Sequence, residues 1–155
     1  MKEALKEAKR ARKYGEVPIG SVVVFEDRII GRGYNRRNTD HSTLAHAELT
    51  AIRKASRAMG DWRLEGCTIY ITLEPCPMCA GAIVQARLDR CVIGAMSPKS
   101  GCAGSLYNLL AEKKFNHQVD TEYGVMAEES EALLKLFFQE LRVENKRLKE
   151  EERNA

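Results

Sequence analysis

Leu5, Ala8 and Ala11 fall near one face of a helix if residues 2–14 are wound at 3.6 per turn, and Gly15 stops the run. Ile19–Phe25 then reads as a buried strand. Arg28–Tyr34 follows after only Glu26-Asp27, close enough to pair with it as a hairpin. Helical spacing returns over 45–59 through Leu49, Ile52, Ala55 and Met59, with Gly60 as a left-handed cap. Cys67, Ile69, Ile71 and Leu73 alternate with Thr68, Tyr70 and Thr72, the period of a strand, which runs straight into Glu74-Pro75-Cys76. Pro77 suits the first turn of a helix over about 77–87, where its missing amide has no partner to lose. A short strand at 91–95 and a weaker one at 118–123 follow. A long helix from Glu128 to about Arg147 carries a stripe of Leu133, Leu134, Phe137, Phe138 and Leu141, and residues 148–155 read as a charged, fraying tail. An opening hairpin followed by alternating helices and strands predicts an α/β fold. It has three α-β-α layers, a mixed five-stranded sheet and helices on both faces.

The chain of 155 residues is 44% apolar and 30% charged, which fits one domain over 1–147 with a single core and excludes a disordered or membrane-embedded protein. The longest apolar run, Ile19–Phe25, is too short for a bilayer. Five cysteines without an apolar leader segment predict a reducing compartment, the cytoplasm. Net charge is only +3, so bulk charge does not announce a polyanion partner. Locally, Lys2, Lys6, Lys9, Arg10, Arg12 and Lys13 outweigh Glu3 and Glu7, and Arg28, Arg32, Arg36 and Arg37 share a window with no acid. Solvated faces and binding patches both account for such runs.

Chemistry concentrates at Cys76-Pro77-Met78-Cys79. Two thiols three residues apart at a helix start point the same way, and the positive helix end favours the thiolate a metal requires. Alone, this spacing fits a redox pair, half of a structural zinc site or half of a catalytic one. His46-Ala47-Glu48, also at a helix start, narrows the choice, because no second close pair of cysteines exists to complete a four-ligand structural site. One imidazole and two thiolates leave a tetrahedral corner for water, which zinc would acidify towards a pKa of ~7. Glu48, two residues from His46, need not be a ligand and is placed to move protons. Cys67 and Cys91 fall in strand patterns and read as core residues.

His46-Ala47-Glu48 with Pro75-Cys76-x-x-Cys79 resembles the zinc-dependent cytidine/deoxycytidylate deaminase superfamily, whose signature this spacing is. Further segments are similar to bacterial tRNA-specific adenosine deaminases: Glu16-Val17-Pro18-Ile19-Gly20, Gly33-Tyr34-Asn35-Arg36, Thr72 to Ala82, Gly101 to Leu106, Asn116 to Val119 and Phe137-Phe138. The resemblance implies a homodimer, one zinc per subunit held by His46, Cys76 and Cys79, and proton transfer by Glu48. It also implies conversion of adenosine to inosine at the wobble position of a tRNA anticodon, chiefly an arginine tRNA. By position, Asn35 and the backbone at Ala47 would bind the target purine, and Ser97, Lys99 and Arg142 would meet the anticodon stem-loop. Two other functions use the same motif. A deaminase of free guanine or cytosine would share the metal site but not the flanking segments, and a noncatalytic zinc-containing RNA-binding subunit would have no use for Glu48.

Two positions depart from the family pattern: Ser97 stands where aspartate is usual, and Leu44 replaces a threonine before Ala45-His46. Serine is shorter and neutral and can donate as well as accept, so contacts to ribose hydroxyls should weaken, and with them discrimination between RNA and DNA. Turnover of matched RNA and DNA hairpins tests this: Ser97→Asp is expected to raise the preference for RNA, and an unchanged ratio would reject the role.

Overall fold

A computed structural model of the chain describes residues Met1–Ala155. Helix α1 (Lys2–Lys13) leads into the hairpin β1 (Gly20–Phe25) and β2 (Arg28–Tyr34), then α2 (Ala47–Met59), β3 (Thr68–Leu73), α3 (Pro77–Gln85) and β4 (Arg90–Ala95). A 3-10 turn at Leu109–Ala111, the short β5 (Asp120–Glu122) and the long α4 (Ala127–Asn154) complete it. The strands form one mixed sheet in the order β2-β1-β3-β4-β5. The first two pairings are antiparallel and the last two parallel, with a bulge between Val23 and Val24 in the hairpin.

Side-chain alternation divides the sheet into two faces. Val23, Ile69, Ile71, Cys91 and Ile93 pack with Ala51, Ala55, Ala80 and Ile83 of α2 and α3 into the main core. Helices α1 and α4 cover the other side. The expected three-layer arrangement is therefore the observed one. Cys67 and Cys91 are buried core residues, as their strand pattern indicates, although Cys67 lies just before β3.

Helix α2 lies almost in backbone contact with β2. A Cβ on Gly33 would sit 2.1 Å from the Ala47 carbonyl oxygen, and one on Gly31 would sit 2.2 Å from that of Ala51. Only the missing side chains allow this approach, and it fixes where the α2 N-terminus points.

Several boundaries differ from expectation. Helix α2 starts at Ala47 rather than Ala45, because His46 is extended and serves as its N-cap residue. Strand β5 spans three residues instead of six. Residues 148–155 do not fray from Arg147 onward, since α4 continues to Asn154. Glu144, Lys146, Glu150 and Glu151 form i,i+3 and i,i+4 ion pairs along it with each other and Arg147, the local support an exposed helix needs. The α4 stripe is also narrower than its pattern: Leu133, Leu134 and Phe137 are half-buried, while Phe138 and Leu141 remain exposed.

Gly33→Ala is expected to cost about 2–3 kcal/mol, lowering Tm by roughly 5–10 °C, because the new methyl meets backbone rather than a movable side chain. Gly81→Ala inside α3 meets nothing within 4 Å and should instead stabilise by up to ~1 kcal/mol. Thermal melts of both variants check the pair.

Candidate metal centre and active site

Two helix starts converge at one end of the sheet. His46 is the N-cap residue of α2 and Cys76 that of α3, both extended, and neither side chain bonds its own helix amides. Both are thus free to face each other. Pro77 at the first helical position turns the chain so that Cys79, one turn on, joins them. His46 Nδ1 lies 3.7 Å from Cys76 Sγ and 3.5 Å from Cys79 Sγ. Zinc with nitrogen at ~2.05 Å and sulfur at ~2.3 Å in a tetrahedron needs an N–S separation of about 3.6 Å. The donor set therefore fits zinc in kind and in spacing. No fourth His, Cys, Asp or Glu joins the group. His41 and His117 lie elsewhere, the latter 2.7 Å through Nε2 from the Leu88 carbonyl.

Charge in the cluster follows from its hydrogen bonds. The bond from Cys79 brings the Cys76 thiol down to about 4 against the opposing effect of burial, with His46 helping. Cys79, as donor to Cys76 and largely buried, moves up. His46 is raised by its hydrogen bond to Cys76. A metal ion requires the neutral imidazole and both thiolates, so binding one here would displace the protons that these groups share.

Beside the triad lies a cavity of roughly 190 Å³. That is below the ~300–1,000 Å³ of sites for drug-sized ligands and suits one ring system. Glu48 lines it and is only 4% exposed, and burial pushes its carboxyl from 4.5 up to about 7. Asn35 forms part of the wall, oriented by its own surroundings: Oδ1 accepts from the Arg37 amide at 3.1 Å and Nδ2 donates to the Val17 carbonyl at 3.3 Å. Ala47 also lines this cavity.

Ser97 and Lys99 do not. They line a second depression with Met96, Pro98 and Phe138, which shares Val17 and Leu73 with the first. Arg142 is exposed on α4 and borders neither. Three polar lining residues, Arg37, Glu74 and Ser100, were not among the expected site residues, nor were the apolar Val17, Ile19 and Leu73. Glu74 had a signal, standing immediately before Pro75-Cys76, whereas Ser100 comes from a loop distant in sequence.

The match to the family model for the cytidine and deoxycytidylate deaminase zinc-binding region extends over residues 1–95. The chain belongs to this deaminase family. Among curated relatives, the tRNA-specific adenosine deaminase of Bacillus subtilis is 54% identical over 146 residues, covering 94% of this chain and 91% of that protein. The one from Aquifex aeolicus is 44% identical over 142 residues, covering 92% and 93%. A solved structure from a study of A-to-I editing by tRNA A34 deaminases at the wobble position is 42% identical. It superposes with a TM-score of 0.83 over 86% of this chain and 97% of that one. A guanine deaminase from Nitrosomonas europaea shares the fold at a TM-score of 0.74 and 21% identity, over 86% and 80% of the two chains. The chain is a zinc-binding deaminase domain, and His46, Cys76 and Cys79 form the group that could hold the ion.

Burying Glu48 has a thermodynamic consequence. Its folded pKa lies above the ordinary value, so the fold is penalised wherever the unfolded carboxyl would ionise; the penalty is absent below about pH 4.5, grows to about pH 7 and is constant above. Glu48→Gln removes it. In chelator-treated protein this variant should be more stable than the parent by roughly 3 kcal/mol at pH 8, shrinking to near zero at pH 4.5. Urea unfolding at the two pH values measures the difference.

Proposed function

We propose that this chain hydrolyses adenosine to inosine at the wobble position of a tRNA anticodon, releasing ammonia, with Glu48 as its proton-transfer group. The observation that carries this reading is a buried acid beside a three-donor metal centre in a cavity sized for one base. When bound, the zinc lowers the pKa of a water to ~7 and so makes a nucleophile available at neutral pH. Glu48, titrating near 7, accepts one proton from the attacking water and passes it to the purine ring nitrogen, then takes the remaining proton from the new C6 hydroxyl and delivers it to the departing amino group. Water adds at C6, the C6–N bond breaks, and inosine and ammonia account for every atom.

Asn35 keeps one N–H and one acceptor lone pair free for the edge of the purine, and the Ala47 backbone lies beside it. A target base reaches this cavity only when unstacked, which the single-stranded anticodon loop makes inexpensive. We assign the neighbouring depression, with Ser97, Lys99 and Phe138, to loop residues flanking the target, and the exposed Arg142 to the phosphate backbone. An arginine tRNA is the expected acceptor.

Relatives of nearly equal length named for tRNA support an RNA substrate over a free base, since likeness to the guanine deaminase is confined to the fold. Exposed Leu106, Tyr107, Phe115 and Tyr123 favour pairing with a second copy of the chain. Five unpaired cysteines suit the cytoplasm, and no helix is long and apolar enough to cross a membrane.

Incubation with total tRNA followed by sequencing should convert adenosine to an apparent guanosine at the wobble position and nowhere else. Glu48→Ala should keep one zinc per chain and lose at least ~10²-fold in turnover. Ammonia release from free bases with unaltered tRNA would overturn the substrate, and wild-type turnover in Glu48→Ala would overturn the role.

A further inference from the structure

Glu74 is buried, at 3% exposure, in the turn that joins β3 to the cysteine-bearing helix α3. It lines the cavity beside the metal triad, yet its carboxylate is occupied by another part of the chain. One oxygen accepts from the Ser97 amide at 2.8 Å and the Ser105 hydroxyl at 2.5 Å. The other accepts from the amides of Ala103 at 3.2 Å and Ser105 at 2.8 Å. Four donors from both ends of one loop thus meet a single anion contributed by the metal-binding turn. The backbone adds to the attachment through the Cys102 amide, which donates to the Pro75 carbonyl at 2.8 Å.

The loop is shaped around this anion. A Cβ on Gly101 would lie 2.0 Å from one carboxylate oxygen of Glu74, so any side chain there displaces the carboxylate. Ser100, next to Gly101, reaches the cavity that Glu74 and Cys76 also line, and Lys99 faces the depression next door. The carboxylate thereby fixes the distance between the ion's ligands and the wall a bound nucleotide would touch.

We propose that Glu74 is a positioning residue that sets substrate affinity by clamping the 97–105 loop against the cysteine turn, without itself touching metal or base. This rests on the reading of the chain as an RNA deaminase. An ionised carboxylate offers acceptors on both oxygens, whereas the amide of a glutamine offers one acceptor and one donor group. With its oxygen kept towards Ala103 and Ser105, Glu74→Gln turns an N–H towards the Ser97 amide and releases that end of the loop.

The test uses zinc-loaded full-length protein. Glu74→Gln should retain one zinc per chain, raise KM for an anticodon stem-loop at least tenfold and leave kcat within threefold. Hydrogen exchange should quicken at least tenfold at the amide of Ser97, while the amides of Ala103 and Ser105, still facing the glutamine oxygen, and those of β1 change little. Gly101→Ala should reproduce both effects by displacing the carboxylate. Ser105→Ala, which removes one hydroxyl outside the cavity wall, should raise KM about threefold and serves if Glu74→Gln fails to fold. An unchanged KM, unchanged exchange in the loop, or loss of zinc or kcat at constant KM overturns the clamp. A parent protein inactive on every stem-loop would sink the functional reading alone, and the exchange rates would still decide the clamp.

Discussion

Everything at the active end depends on how closely α2 can lie against the sheet. His46 is useful only where it meets two sulfurs from another helix, and a displacement of an ångström would spoil the N–S separations that suit a tetrahedral ion. The chain achieves this placement with two residues that have no side chain. Gly31 and Gly33 let α2 rest on β2 backbone to backbone, and alanines 47, 51 and 55 along the contact keep the helix thin. A larger residue at either glycine would lift the helix and carry the imidazole with it.

Function and stability pull against each other most clearly at Glu48. An acid buried beside the metal ligands is held near neutrality by desolvation, the condition for taking and returning protons at physiological pH. The same burial destabilises the ionised carboxyl. Glu74 is similarly little exposed, with the opposite outcome, because burial raises its pKa but four hydrogen bonds together outweigh it and bring the carboxyl below its ordinary value. Two glutamates in one cavity thus differ in how deeply the protein encloses them and in the donors that surround them, and together these separate a group suited to chemistry from one suited to holding a loop.

The periodic elements were legible because burial imposes a period on sequence. The hairpin, α2 and β3 followed from spacing alone, and the ligand triad followed from two short motifs at helix starts. What the chain hid were contacts between segments far apart. Nothing in the letters around Ser105 says that it will face Glu74, thirty-one positions earlier. The spacing of Ser97 and Lys99 likewise does not say that they line a depression adjoining the cavity rather than the cavity itself. The charge that predicts fraying at the end of α4 also supplies ion pairs within the helix, which need no partner surface.

A helix normally begins with a residue whose side chain bonds the first free amides, a contribution of ~1 kcal/mol. Helices α2 and α3 forgo it, since their leading residues turn towards each other instead. An ion held between them would tie together the starts of two core helices whose leading residues stand thirty positions apart. Its departure would loosen both at once, so that catalytic competence and the integrity of the central layer become a single property governed by metal supply.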